Sequence, residues 1–198
     1  MKIFNTACAS AATLLVLGTA LSAPAHADFT GVWAPANWTV VTTGNIAGGA
    51  PGQAQFTNAT LTLTGGDAPG AAPPYCQGGV FADLASPCSL SVTIAVGAPY
   101  SFKWAYTSND ADGPPGDIFG YLVDGVVTAL SDPGGAVSQS GQVTVQANSS
   151  FGWFLNCTDC GGGAAVVRIS DFAAVPEPAT IALVLAAGTV AWLGRRRR

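Results

Sequence analysis

The sequence predicts an all-β domain, a β-sandwich of jelly-roll character, with an apolar helix at each end of the chain. Three observations carry that expectation. Between Phe29 and Phe172 apolar residues recur with period two, the spacing that places alternate side chains on one face of a strand. The runs are short and bounded by Gly, Pro, Asn and Asp, the residues that close turns. No amphipathic helix of useful length interrupts them. A closed barrel shares the same alternation and stands as the second architecture.

In chain order, strands are expected at 29–33, 38–43 and 55–64; in the last, Leu61 and Leu63 alternate with Thr60, Thr62 and Thr64. A loop rich in Gly, Pro and Ala follows over 65–74. Leu90, Val92, Ile94 and Val96 mark the next strand, and Tyr100, Phe102, Trp104 and Tyr106 alternate with Ser101, Lys103, Ala105 and Thr107 in the one after it. Gly97-Ala98-Pro99 joins the two. A second loop covers 109–116. Strands 118–123 and 126–130 flank Asp124-Gly125, a pair suited to a type I′ turn because both central positions need positive φ. Further strands are expected at 141–146, 150–155 and 164–169, about ten in all, enough for two packed sheets.

The ends of the chain speak of destination. Lys2 gives a positive start, residues 7–21 an apolar run, and Ala25-His26-Ala27 the small-x-small pattern of signal peptidase, so that cleavage between Ala27 and Asp28 is expected. At the other end Val175-Pro176-Glu177-Pro178 precedes an uncharged apolar run and Arg195-Arg196-Arg197-Arg198. As a helix, the 16 residues 179–194 would span about 24 Å, short of the roughly 30 Å hydrocarbon core. The arginines favour the cytoplasmic side. In order, spacing and composition this segment resembles a PEP-CTERM sorting signal. The resemblance covers roughly the last 24 residues, together with the signal peptide. It implies that the tail holds the chain in the inner membrane transiently, until an exosortase cuts near the tripeptide. The organisation expected is therefore a signal peptide at 1–27, one exported sandwich domain at 28–174, and a sorting signal at 175–198 with its motif, transmembrane helix and arginine cluster. The destination is the cell surface or an extracellular matrix.

Composition narrows what the exported span can do. Lys103 and Arg168 stand against ten aspartates, a net charge of about −8, so nucleic acid is not an expected partner. The only histidine, His26, and the only glutamate, Glu177, lie in the two terminal segments. Imidazole-based triads and the usual glutamate pair of glycosidases are thereby missing from residues 28–174, and no enzyme is expected. Cys76, Cys88, Cys157 and Cys160 remain after loss of Cys8. An even number in an oxidising compartment points to two disulfides, proximity favouring Cys76 with Cys88 and Cys157 with Cys160. A redox role for Cys157-Thr158-Asp159-Cys160 would want a helix start where Gly161-Gly162-Gly163 stands; a four-cysteine zinc site is the other alternative.

Two constellations are candidate ligand sites. Asp110, Asp112 and Asp117 concentrate carboxylates in one loop, a donor set suited to calcium, although the spacing does not fit an EF-hand and such aspartates commonly cap their own turn. No other cofactor is implied. Trp38, Tyr75 and Phe154 are the aromatic residues expected to be exposed for stacking on a sugar ring. The function expected first is a structural or interaction role in a biofilm or exopolysaccharide matrix, and the second a carbohydrate-binding module for extracellular polysaccharide.

Overall fold

The computed structural model describes residues 29–43, 49–67, 88–157 and 160–174. Ten strands are found there: β1 Thr39–Thr42, β2 Gln53–Phe56, β3 Thr60–Thr64, β4 Ser89–Ile94, β5 Pro99–Thr107, β6 Asp117–Val123, β7 Val126–Ala129, β8 Ser138–Gln146, β9 Phe151–Cys157 and β10 Val166–Ala174. They form two five-stranded sheets, ordered β1-β4-β9-β6-β7 and β2-β3-β10-β5-β8. Every pairing is antiparallel. The chain changes sheet between β4 and β5, so the Gly97-Ala98-Pro99 connection crosses the sandwich.

The core lies where the two inner faces meet. Leu90, Val92, Phe119, Phe151, Trp153 and Leu155 of the first sheet face Leu61, Leu63, Tyr100, Phe102, Trp104, Tyr106, Val167 and Ile169 of the second, all in one buried cluster. Rings interlock across the gap: Tyr100 stacks on Phe151 at 4.5 Å between centroids, and Phe102 meets Trp153 edge-on at 5.4 Å. Each ring removes a large apolar area from water and gains from these geometries. Tyr100 and Tyr106 keep their hydroxyls satisfied by donating to the Val96 and Asp117 carbonyls. Burial pushes both phenol pKa values up to about 12; the Asp117 and Asp110 charges add to the effect on Tyr106, and a Ser108 hydrogen bond opposes it.

Three departures from the expected elements have local causes. Residues 29–33 form no strand: Gly31 has φ +59° and opens the 3-10 turn Gly31–Trp33, while Phe29 packs its ring at 5.2 Å from Phe172. The single strand expected at 55–64 is a hairpin, because the Thr57 hydroxyl accepts from the Ala59 and Thr60 amides and turns the chain. In β10 the alternation Val167, Ile169 jumps to Phe172 through a bulge between Ser170 and Ala173. Asp171, at φ +50°, takes up the extra residue, which keeps Phe172 inside and puts Asp171 in solvent. The Asp124-Gly125 hairpin is found as expected, with φ values of +52° and +82°.

No helix among the described residues is long and apolar enough to cross a membrane. The signal peptide with Ala25, Ala27 and Asp28, the processing motif Val175 to Pro178, and both Cys76 and Tyr75 lie outside the described residues.

Candidate functional site

The aromatic candidates do not form a stacking surface. Trp38 is buried: it stacks on Trp153 at 5.2 Å, and its indole N–H donates to the Trp33 carbonyl at 2.8 Å. Phe154 does point to the face opposite Trp153, as its parity predicts, but that face is covered. It packs with Ile118 and Leu122, beside Val127 and Ala129, over Gly120, where a Cβ would come within 2.5 Å of the ring. The expectation that Trp38 and Phe154 are exposed for sugar is therefore corrected. Among the described residues, the large hydrophobic side chains left exposed are all valines.

The acidic loop also differs from the calcium expectation. Asp110 and Asp117 turn inward, at 8% and 1% exposure, while Asp112 faces solvent. The Asp110 carboxylate accepts the Asp112 amide at 2.7 Å, which is the turn-capping role of such a residue. Gly116 and Gly162 both lie against this carboxylate, where any side chain would collide. The three carboxylates are thus divided between interior and solvent and do not share a cage. Among the described residues, the group of metal-capable side chains that does converge is Cys88, Cys157 and Cys160, with sulfurs within 4.8 Å of one another and all buried. Cys157 and Cys160 are joined as a disulfide, as expected, and Cys88 is disulfide-bonded as well. The cluster closes one end of the sandwich, where the Cys157 amide donates to the Cys88 carbonyl at 3.0 Å.

One surface stands apart from the rest of this acidic domain, the outer face of the second sheet. Its strand register aligns Gln55, Thr62, Arg168, Ala105 and Ser140 in a row across β2, β3, β10, β5 and β8. The next row holds Thr60, Ser170, Lys103 and Gln142. At about 4.8 Å between strands the five-strand row is about 19 Å wide. Hydroxyls and amides make up most of it, and every one can donate or accept. Lys103 and Arg168, the only cations between residues 28 and 174, both stand here. Asp171, in the bulge, is the only aspartate of the described strands on this face.

A groove of about 390 Å³ runs over the β5–β8–β10 part of this face, lined by Lys103, Ala105, Ser140, Gln142, Arg168 and Ser170, together with Trp104 and Gly141. Ala105 is its low point, because its partners across the sheet are Arg168 and Ser140. Lys103 and Arg168 sit diagonally on neighbouring strands, a relation that puts Cβ atoms about 7–8 Å apart. Lys103 forms an ion pair with Asp171 at 2.7 Å, both more than half exposed, a contact worth only about 0–1 kcal/mol in water. Arg168 is exposed and has no ion pair among the described residues. The sequence held a signal for this site: the two cations occupy the outward parity of the two strands that bear Trp104 and Ile169 inward.

No protein-family model and no curated protein matches the chain. Solved structures that the chain is similar to include the enzymatically active domain of tailspike protein 4 of bacteriophage CBA120, at 10% identity and TM-score 0.33, covering 75% of this chain and 20% of that one. A family 29 carbohydrate-binding module mutant is similar at 10% identity and TM-score 0.31, covering 68% and 89%. The family 6 module of a Cellvibrio mixtus lichenase, solved with cellotriose, is similar at 17% identity and TM-score 0.26, covering 67% and 95%. The chain spans about a fifth of the tailspike protein. These likenesses are remote.

Proposed function

We propose that this chain is an exported, non-enzymatic cell-surface or matrix protein whose jelly-roll-like sandwich binds extracellular polysaccharide on the outer face of its second sheet. During export signal peptidase cleaves before Asp28, and the tail from Val175 onward is removed by exosortase, leaving an acidic domain outside the inner membrane. The observation that carries the binding role is the composition of that face. Gln55, Thr60, Thr62, Ser140, Gln142 and Ser170 offer a flat array of hydroxyl and amide groups around the groove, while the aspartates that dominate the rest of the domain are almost absent from it. Sugar hydroxyls exchange hydrogen bonds with such groups at little net cost, each worth about 0.5–1.5 kcal/mol, and affinity accumulates along a repeating chain.

The test is co-sedimentation of the exported protein with polysaccharide from its host's matrix, for the wild type and for Ser140→Trp with Gln142→Trp, which fill the groove from an edge strand. Retention of the wild type and loss in the filled variant, at an unchanged melting temperature, is the expected result. Equal retention of both would remove the groove from the function.

A further inference from the structure

We infer that the polysaccharide recognised in this groove is anionic, its repeating acidic group held by Arg168 with Lys103 beside it. The inference rests on the binding role just proposed and narrows its ligand class. A neutral glycan would need only the hydroxyl and amide array. The exported span carries two cations in all, and the fold brings both to the walls of one groove, on strands that meet through the Arg168–Ala105 and Ser170–Lys103 pairs. Lys103 is matched by Asp171, but Arg168 has no ion pair among the described residues, and in a domain whose net charge near −8 repels a polyanion elsewhere, this aspartate-poor face is where an acidic group can be met. The unmatched Arg168 charge, with Lys103 on the neighbouring strand, makes sense when a negative group arrives beside it.

Arg168 supplies a planar fork that can hold a carboxylate, sulfate or phosphate oxygen pair in two parallel bonds. Ala105 leaves the space next to it empty, so an acidic group can descend to the sheet, with the Ser140 hydroxyl across the groove to donate one more bond. Lys103 is occupied by Asp171. The pair is solvent-exposed and weak, so an arriving anion competes with the Asp171 carboxylate for the ammonium group. Asp171 therefore lowers affinity and discriminates against isolated weak anions. Its position in the bulge, at φ +50°, is one that asparagine also adopts readily, which allows the carboxylate to be neutralised without disturbing the strand.

The experiment uses the exported protein with three probes: polygalacturonate, the same polymer after reduction of its carboxyl groups, and polygalacturonate at raised salt. Binding to the acidic polymer is expected to exceed that to the reduced polymer by about tenfold or more, the worth of one charge-assisted paired contact. It should weaken as salt screens the exposed charges. Arg168→Gln should lose about tenfold, Lys103→Gln less, and Asp171→Asn should bind more tightly than wild type. Equal binding of acidic and reduced polymers would overturn the anionic assignment and leave the polysaccharide role standing. Binding of neither would overturn both. Dextran sulfate in place of polygalacturonate separates a carboxylate ligand from a sulfated one. Tighter binding by Asp171→Asn cannot arise from damaged folding, so its absence counts against the inference even if Arg168→Gln is unstable.

Discussion

Replacing Trp38 with alanine separates two roles that the sequence leaves open for this residue. In the structure its ring stacks on Trp153 at 5.2 Å and meets Phe172 at 5.7 Å and Phe29 at 6.0 Å. Its indole N–H satisfies the Trp33 carbonyl. Removing a buried tryptophan costs about 3–5 kcal/mol through lost transfer energy and the cavity left behind. Domains of this size hold about 5–15 kcal/mol in total, so the variant should fold but with little reserve. At about 2–4 °C per kcal/mol, its melting temperature should fall by roughly 6–20 °C. Trp38→Phe keeps a ring in the stack and loses the hydrogen bond, and should cost about 1–3 kcal/mol. The assay pairs a thermal melt with polysaccharide affinity measured well below the variant's midpoint. A large drop in midpoint with unchanged affinity is expected. An unchanged midpoint with lost affinity would mean that Trp38 is a sugar platform and that its packing here is wrong.

Other outcomes follow from single contacts. The Asp124 carboxylate accepts from the Asn148, Ser149 and Ser150 amides, the Asn148 side chain and the Ser149 hydroxyl, and these bonds hold its pKa well below the usual carboxylate range. A depressed folded-state pKa contributes stability that is fully present above the unfolded value, about 3.9, and is lost as pH falls through the folded value. The stability gap between wild type and Asp124→Asn, followed by urea midpoints, should therefore narrow as pH drops below about 4. A constant gap would show that the carboxylate charge is not what ties the β6–β7 turn to the connection between β8 and β9. Gly120→Ala would drive a methyl group into the Thr128 carbonyl and the Phe154 ring, and should lower the unfolding free energy from urea titration by about 1–3 kcal/mol; a neutral effect would mean that Phe154 is not packed on that face. Mass spectrometry of protein recovered from the host should find a carboxyl terminus near Pro176-Glu177-Pro178, whereas a peptide ending in Arg198 would refute exosortase processing.

Much of the sandwich was legible because inner and outer residues alternate cleanly: Tyr100, Phe102, Trp104 and Tyr106 state their face outright, and Asp124-Gly125 announces its turn. What escaped was whatever local alternation cannot encode. The Thr57 hydroxyl that splits one run into β2 and β3 acts through hydrogen bonds to its own backbone, and the Asp171 bulge changes parity in mid-strand. The burial of Phe154 depends on the outer face of its sheet being covered, which period-two patterning cannot state. The groove was hidden for a different reason. Lys103 and Arg168 are 65 positions apart in the chain, and only the pairing of β5 with β10 makes them neighbours.

Backbone amide hydrogen exchange, with and without the acidic polysaccharide, would locate the binding face directly. Polysaccharide lying across the second sheet should slow exchange along β8, its exposed edge strand, and on the outward positions of β5 and β10 around Lys103, Ala105 and Arg168, leaving β1 and β7 of the opposite sheet unchanged. Protection confined to the loops or to the first sheet, with none near the groove, would contradict it.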